Sequence, residues 1–284
     1  MADALIWQAV RAELAANRPC AVLVVTAHQG SSPGRAGMLM AVGLAGRLAG
    51  SVGGGKAEAA LVDAAAGRLR AGDFRPWRQT LIHHPAALNA SGMLCGGEQQ
   101  VVVACWHPGQ TVPMPGEAWS IAGDGWQYQA PLAAPVTVYL VGGGHVSLAL
   151  SQLLAGLDFH VSVLEERAGI STFSSNRWAH AKRSCPYEQL AEYIPAGAAV
   201  FVGIMTHAHE RDAVAWQALA GRRYGYLGLL GSRHKLAKLL AGGKMPDFAH
   251  APMGLPIGSH TPAEIAVSIA AEMVASRNAA VDGR

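Results

Sequence analysis

The sequence predicts a two-domain α/β protein, and three observations carry that reading. From Pro135 onward, continuous apolar strands alternate with helical segments, the pattern of a parallel sheet covered on both faces. One strand–helix junction in that half carries a glycine triplet, Gly142-Gly143-Gly144. Before Pro135 the strands are shorter, separated by glycine turns and interrupted by only two helical segments, which fits a smaller α+β domain. The expected division is 1–131 and 132–284.

Taken in order, residues 3–17 form an opening helix with Leu5, Ile6, Ala9, Val10 and Leu14 on one face. Strands follow at 21–27, 38–42 and 47–52, then an alanine-rich helix after Gly53-Gly54-Gly55, then strands at 77–83 and 98–106. The proline-containing stretch 107–117 reads as a linker or long surface loop, and 119–129 as a hairpin around Gly123-Asp124-Gly125. In the second half, strands are expected at 136–142, 160–166, 199–205 and 224–231. Helices are expected at 146–156, 188–194, 209–221, 234–241 and 262–277. The last opens with Thr261, Pro262 and Glu264, a capping-box start.

Composition narrows the classes. The 284 residues are 51% hydrophobic and 14% charged, with 34 glycines in clusters, which excludes a disordered or collagen-like chain. A net charge of +3 without a lysine or arginine run argues against nucleic acid. The N-terminus lacks a basic segment before its apolar stretch, and no run of about 18 apolar residues occurs, so neither a secretory signal nor a membrane span is expected. Four cysteines (Cys20, Cys95, Cys105, Cys185) without a CxxC pair point to a reducing compartment, hence the cytoplasm. The high apolar content makes a homodimer reasonable.

The triplet Gly142–Gly144 followed by His145, Val146 and Ser147 fits G-x-G-x-x-G with Ser147 in the third glycine place, and Glu165 stands at the end of the next strand. That is a Rossmann-type arrangement: tight turn, close backbone approach to a diphosphate, helix amides toward the phosphate, and a carboxylate for ribose hydroxyls. The alternative is a tight turn with no ligand. In the first half, Gly50 to Lys56 nearly matches a P-loop, but Ala57 replaces the serine or threonine that would hold magnesium. What remains is a candidate anion nest made of Gly53, Gly54, Gly55 and Lys56. Cys95-Gly96-Gly97 sets a thiol on a glycine loop, as ligand, sulfur acceptor or nucleophile, or as a small buried side chain. His207 and His209 follow a buried strand, where α/β proteins place their sites; metal hydrolysis there lacks further acidic ligands, and helix capping by His209 and Asp212 is the plain alternative. Ser232-Arg233 opens a helix with basic residues, unfavourable to the helix dipole unless a ligand or partner compensates.

Seven pieces occur in one order: Gly30-Ser31-Ser32-Pro33-Gly34-Arg35, Gly53-Gly54-Gly55-Lys56-Ala57-Glu58, Cys95-Gly96-Gly97, Gly142–Gly144, Met205-Thr206-His207 with His209 and Asp212, Gly231-Ser232-Arg233, and Gly254-Leu255-Pro256-Ile257-Gly258 before Thr261-Pro262-Ala263-Glu264. The chain thereby resembles the XdhC/CoxI family, accessory proteins for xanthine dehydrogenase and related molybdenum hydroxylases. It departs from the family at Ala208, where an acidic residue is common, and at Glu165-Glu166-Arg167, where Asp-x-Arg is common. The resemblance implies a chaperone without its own turnover. It would bind the molybdenum cofactor (molybdopterin), hold it while a cysteine desulfurase supplies sulfur, and deliver it to the apo xanthine dehydrogenase molybdenum subunit. Lys56 or Arg233 would then face the phosphate and Cys95 the metal or its sulfur. The competing class is an NAD(P)-dependent oxidoreductase using the Rossmann turn, or another nucleotide-binding protein; a ligand-free scaffold is the third.

Overall fold

The computed structural model describes residues 3–82, 97–114, 116–132, 135–232 and 246–281. It divides into two compact units, Met1–Ala134 and Pro135–Arg284. The stretch 107–117 lies inside the first unit as a loop whose end is tied back by Leu132, which donates to the Glu117 carbonyl at 2.7 Å. It is a surface loop, not a linker.

In the first unit, α1 (Asp3–Ala15), β1 (Cys20–Gly30), β2 (Leu39–Gly43), β3 (Gly46–Gly50), α2 (Gly55–Arg70), β4 (Trp77–Ile82) and β5 (Gly97–Trp106) follow one another. The strands form one antiparallel sheet in the order β3-β2-β1-β5-β4. Central β1 shows why this sheet needs two covers. Its side chains alternate with period two, so Cys20, Val22 and Val24 join Ile6, Trp7 and Val10 of α1. Ala21, Leu23 and Val25 join Leu61, Ala65 and Leu69 of α2 on the other face. A two-stranded ribbon, β6 (Ala118–Gly123) and β7 (Trp126–Pro131), turns at Asp124-Gly125 and lays Trp119 edge-on to Trp7, ring centroids 5.1 Å apart.

The second unit contains β8 (Thr137–Val141), α3 (His145–Ala155), β9 (His160–Glu165), α4 (Ser171–Ser174), β10 (Ala181–Ser184), a 3₁₀ turn (Tyr187–Gln189), α5 (Leu190–Tyr193), β11 (Gly197–Ile204), α6 (His209–Leu219), β12 (Tyr224–Leu229), β13 (Ala249–His250) and α7 (Pro262–Val281). Its sheet is wholly parallel, ordered β10-β9-β8-β11-β12-β13. Counted within the unit this is the doubly wound order 3-2-1-4-5-6, whose direction reverses between β8 and β11. One face packs Val202, Ile204 and Leu227 against Leu190 and Trp216; the other packs Val138, Leu140 and Phe201 against Leu150, Ile269 and Met273.

Three differences from the sequence reading have local causes. β10 is exposed at all four residues, so no apolar signal marks it. The expected helix 188–194 is a 3₁₀ turn plus a single α turn, because Pro186 restarts the chain and Ile194 leaves in extended conformation. Short α4 and two-residue β13 lie below the length at which periodicity shows. His83, His84 and the expected helix 234–241 lie outside the described residues.

Candidate functional site

At one end of the antiparallel sheet three glycine-containing segments meet: 30–34 after β1, 50–55 before α2, and 97–99 opening β5. Gln99 knits them. Its Oε1 accepts the Ser32 hydroxyl at 2.7 Å and the Gly34 amide at 2.9 Å, while its Nε2 donates to the Val52 carbonyl at 2.8 Å. The approach is close enough that Gly53, at φ 127°, admits no side chain; a Cβ there would lie 2.7 Å from the Gly34 nitrogen.

The glycine loop before α2 is closed by its own helix. Glu58 Oε2 accepts the Ser51 hydroxyl at 2.6 Å and the Val52 and Gly54 amides at 2.9 Å each. Burial opposes the charge on this carboxyl, but the Ser51 hydroxyl, the two amides and Arg47 outweigh it and hold its pKa below the ordinary value. Glu58 therefore takes the Gly54 amide of the nest expected to receive an external anion, and the Gly53 amide donates to the Ser51 hydroxyl at 3.1 Å, which corrects the reading of Gly53 and Gly54 as phosphate donors. Gly55 and Lys56 remain exposed, and the first helical amides there have no intrahelical partner. Gly97 pairs with Gly30 across β1 and β5. Cys95 and Gly96 lie outside the described residues.

At the parallel sheet, Gly142 takes φ 108°, and a Cβ there would collide with the Met205 carbonyl. The Gly143 amide donates to Glu165 Oε2 at 2.8 Å. Glu165 is fully buried. It also accepts Arg167 Nε at 3.0 Å and Nη2 at 2.9 Å, the Arg167 amide at 3.0 Å and the Tyr187 hydroxyl at 3.2 Å. Burial raises its pKa, yet Arg167 and these amides overcome that and lower it to about 2. The ribose contact expected of Glu165 is thus excluded, because its carboxylate is enclosed and spent on the loop and on Arg167. Thr172 donates to the Gly143 carbonyl at 2.5 Å. Ser147 is 1% exposed and faces the packed interior, so it serves helix–sheet packing rather than ligand contact. Gly144, by contrast, has open space where a Cβ would point.

Beside this loop lies a cavity of about 590 Å³ at the carboxyl ends of β9, β10 and β11, lined by Glu166, Arg167, Ser184, Cys185, His207 and Arg211 among others. Arg211 binds both oxygens of Glu166 and reaches Glu188 at 3.1 Å. His207 and His209 are exposed; His209 contacts Glu210 at 3.1 Å. Asp212 accepts the Thr206 amide at 2.9 Å and hydroxyl at 2.7 Å, tying the first turn of α6 to the end of β11. Ser232 is exposed after β12; Arg233 lies outside the described residues. Among the described residues, no group of three or more His, Cys, Asp or Glu is placed to hold a metal, and no helix is long and apolar enough to cross a membrane.

The structure thus makes two groupings in separate units: Gly53, Gly54 and Gly97 around Gln99, and Gly142 and Gly144 in the loop held by Glu165, with His207 among the residues lining the cavity. Sequence reasoning does not single out Gln99, Arg167 or Arg211. Gln99 had a signal: it shares period-two spacing with buried Val101 and Val103, so a polar residue on a core-facing position marks a satisfied internal network.

These features define a class, an antiparallel glycine-loop unit followed by a Rossmann sheet. The chain belongs to the XdhC and CoxI family: that family's model matches residues 13–81, and the XdhC Rossmann domain model matches 138–273. It is 34% identical over 141 residues to a probable xanthine dehydrogenase subunit of Bacillus subtilis, covering 49% of this chain and 42% of that one. It is 28% identical over 278 residues to the uncharacterized protein YqeB of Escherichia coli, covering 94% and 45%. The chain spans less than half the length of both relatives. A Bacillus halodurans crystal structure described as a xanthine dehydrogenase superposes with TM-score 0.79 at 18% identity, over 98% of this chain and 96% of that one, and shows the same fold.

Proposed function

We propose that this chain is an accessory protein in the maturation of xanthine dehydrogenase or a related molybdenum hydroxylase, with molybdopterin as cargo. It binds the cofactor, holds it during sulfuration by a cysteine desulfurase, and delivers it to the apo-enzyme without turnover of its own. The observation that carries this reading, beside family membership, is the junction knitted by Gln99. Three backbone segments are held rigidly around one spot, with Gly97 at its edge and Cys95 two residues away in sequence.

The residues fit a phosphorylated pterin in a limited way. The Val52 and Gly54 amides are committed to Glu58, so the phosphate falls to the exposed Lys56 and the open first turn of α2. Cys95 is assigned the metal or its sulfur.

The test is oxidised-pterin fluorescence released from protein purified out of a molybdenum-competent host. Near-stoichiometric pterin is expected, reduced about tenfold by Lys56→Ala and by Cys95→Ser, a loss of roughly 1.4 kcal/mol in each case. Parent protein free of pterin, even after incubation with the cofactor, overturns the reading.

A further inference from the structure

We infer that the outer edge of β10 is a docking site for an acidic, extended segment of a partner protein, which joins the parallel sheet as a further strand. The inference concerns a macromolecular partner of this unit and does not depend on the molybdopterin reading.

The sheet ends at β10, which pairs with β9 on one side and, among the described residues, with no strand on the other. All four of its residues are exposed. An edge strand turns alternate N–H and C=O groups outward, a template for another strand. This edge is also held in shape. Buried Asn176 accepts the Trp178 and Ala179 amides at 3.1 and 3.2 Å and donates to the Ser151 hydroxyl of α3 at 2.9 Å. His180 then joins β9 twice: its amide donates to the Val161 carbonyl at 2.8 Å, and its Nδ1 accepts the Val161 amide at 3.0 Å. An edge fixed in this way has little ordering left to lose when a partner binds.

Charge selects the partner. No acidic residue occurs between Arg167 and Glu188. Within that stretch Arg177, Lys182 and Arg183 are exposed, and none of them pairs with a carboxylate among the described residues. Their placement favours a strand over a flat polyanion. Lys182 Nζ donates to the Ser174 carbonyl at 2.7 Å, on the face where Phe173 of α4 packs with α3 and α7. The Arg183 guanidinium lies 4.6 Å from the ring centroid of Tyr193, which packs on the face of α5 and α6. One cation thus stands above the sheet edge and the other below, following the alternation of strand side chains. A strand entering in the plane of the sheet passes between them and offers carboxylates to both. A phosphodiester chain or a membrane surface approaches from one side and meets one of them. A second copy of β10 brings like charges together, which opposes pairing.

The measurement is binding of a fluorescent, end-blocked hexapeptide, Thr-Val-Glu-Glu-Val-Thr, to the full chain by anisotropy, with amide exchange of β10 followed in parallel. The peptide is expected to bind with a submillimolar dissociation constant, at least tenfold more tightly than its glutamine counterpart, and to slow exchange of the β10 amides. Replacing both valines by proline keeps the charge but removes ladder donors of opposite parity, so binding weakens at least tenfold in either register. The double variant Lys182→Glu, Arg183→Glu reverses the preference and binds Thr-Val-Lys-Lys-Val-Thr at least tenfold more tightly than the acidic peptide, a gain that a misfolded chain would not show. Four results each overturn the inference. They are no binding at millimolar peptide; equal binding of the proline peptide; tighter binding of an oligothymidylate of equal charge or of phosphatidylglycerol vesicles; and protection of the β10 amides that grows with concentration of the free chain, the sign of a second copy on this edge.

Discussion

The carboxylate of Glu58 accepts the amide of Gly54 at 2.9 Å, so the glycine loop that introduces α2 is closed by a side chain from the first turn of that same helix. Three donors depend on it: the Ser51 hydroxyl and the Val52 and Gly54 amides. Glu58→Ala leaves all three unmet beside a core, at a cost of about 2–3 kcal/mol. Glu58→Gln retains an acceptor and costs less. The folded pKa of Glu58 is lowered, so its contribution is full above the ordinary carboxylate range and fades as pH falls below it. Urea unfolding of parent and Glu58→Ala at neutral and acidic pH checks this: the gap between them narrows on acidification.

Glu165 does the same for the other glycine loop, with a stronger partner. Glu165→Gln removes the charge facing Arg167 inside an enclosed site and is expected to cost about 3 kcal/mol or more. Its pKa is lowered from 4.5 to about 2. A depressed carboxyl pKa stabilises the fold above the unfolded value, so the contribution is complete above about pH 4.5 and lost progressively toward pH 2. Unfolding free energies of parent and Glu165→Gln at pH 7, 4 and 3 are expected to converge; a constant difference across that range would show that the charge is not the source.

These two carboxylates also show where sequence reading runs out. The strands and helices that carry cores are legible, because β1 opens as an unbroken apolar run buried at its first six residues and α2, α6 and α7 are 16, 11 and 20 residues long. The capping box at Thr261 is legible because its chemistry is local: Glu264 accepts the Thr261 amide at 3.0 Å. The glycine loops are legible as rows of donors, but a row of donors does not reveal its acceptor. Glu165 lies 22 residues beyond Gly143, and only the parallel pairing of β8 with β9 brings them together. Gln99 joins segments 65 and 47 residues away, Gly34 and Val52, through the antiparallel register of β1 and β5.

Gln99 gives a prediction that distinguishes a local staple from general core packing. Gln99→Ala frees the Ser32 hydroxyl, the Gly34 amide and the Val52 carbonyl together, destabilising by about 2–3 kcal/mol. The effect concentrates on the loop after β1, which carries the exposed Arg35. Tryptic cleavage after Arg35 should accelerate about tenfold or more under native conditions, since 1.4 kcal/mol of local opening is a factor of ten. Cleavage elsewhere should change less, and equal acceleration at every site would identify a global effect.

In the second unit, Glu272 joins α7 to the sheet edge. It accepts the Tyr226 hydroxyl at 2.6 Å and the Gly254 amide at 2.7 Å, and meets His250 Nδ1 at 3.2 Å; the Tyr226 and His250 rings stack with centroids 4.5 Å apart. Tyr226→Phe keeps the ring packing and removes one charge-assisted bond, so a loss of about 1.5–3 kcal/mol is expected. Burial, reinforced by the Glu272 charge, raises the Tyr226 pKa well above the ordinary value. A raised folded pKa makes this contribution complete below the unfolded pKa of about 10 and weaker as pH climbs beyond it. Spectrophotometric titration of the six tyrosines checks the assignment. Tyr226 stays protonated until the chain unfolds, so Tyr226→Phe leaves the number ionising before the alkaline transition unchanged and lowers only the number released with unfolding.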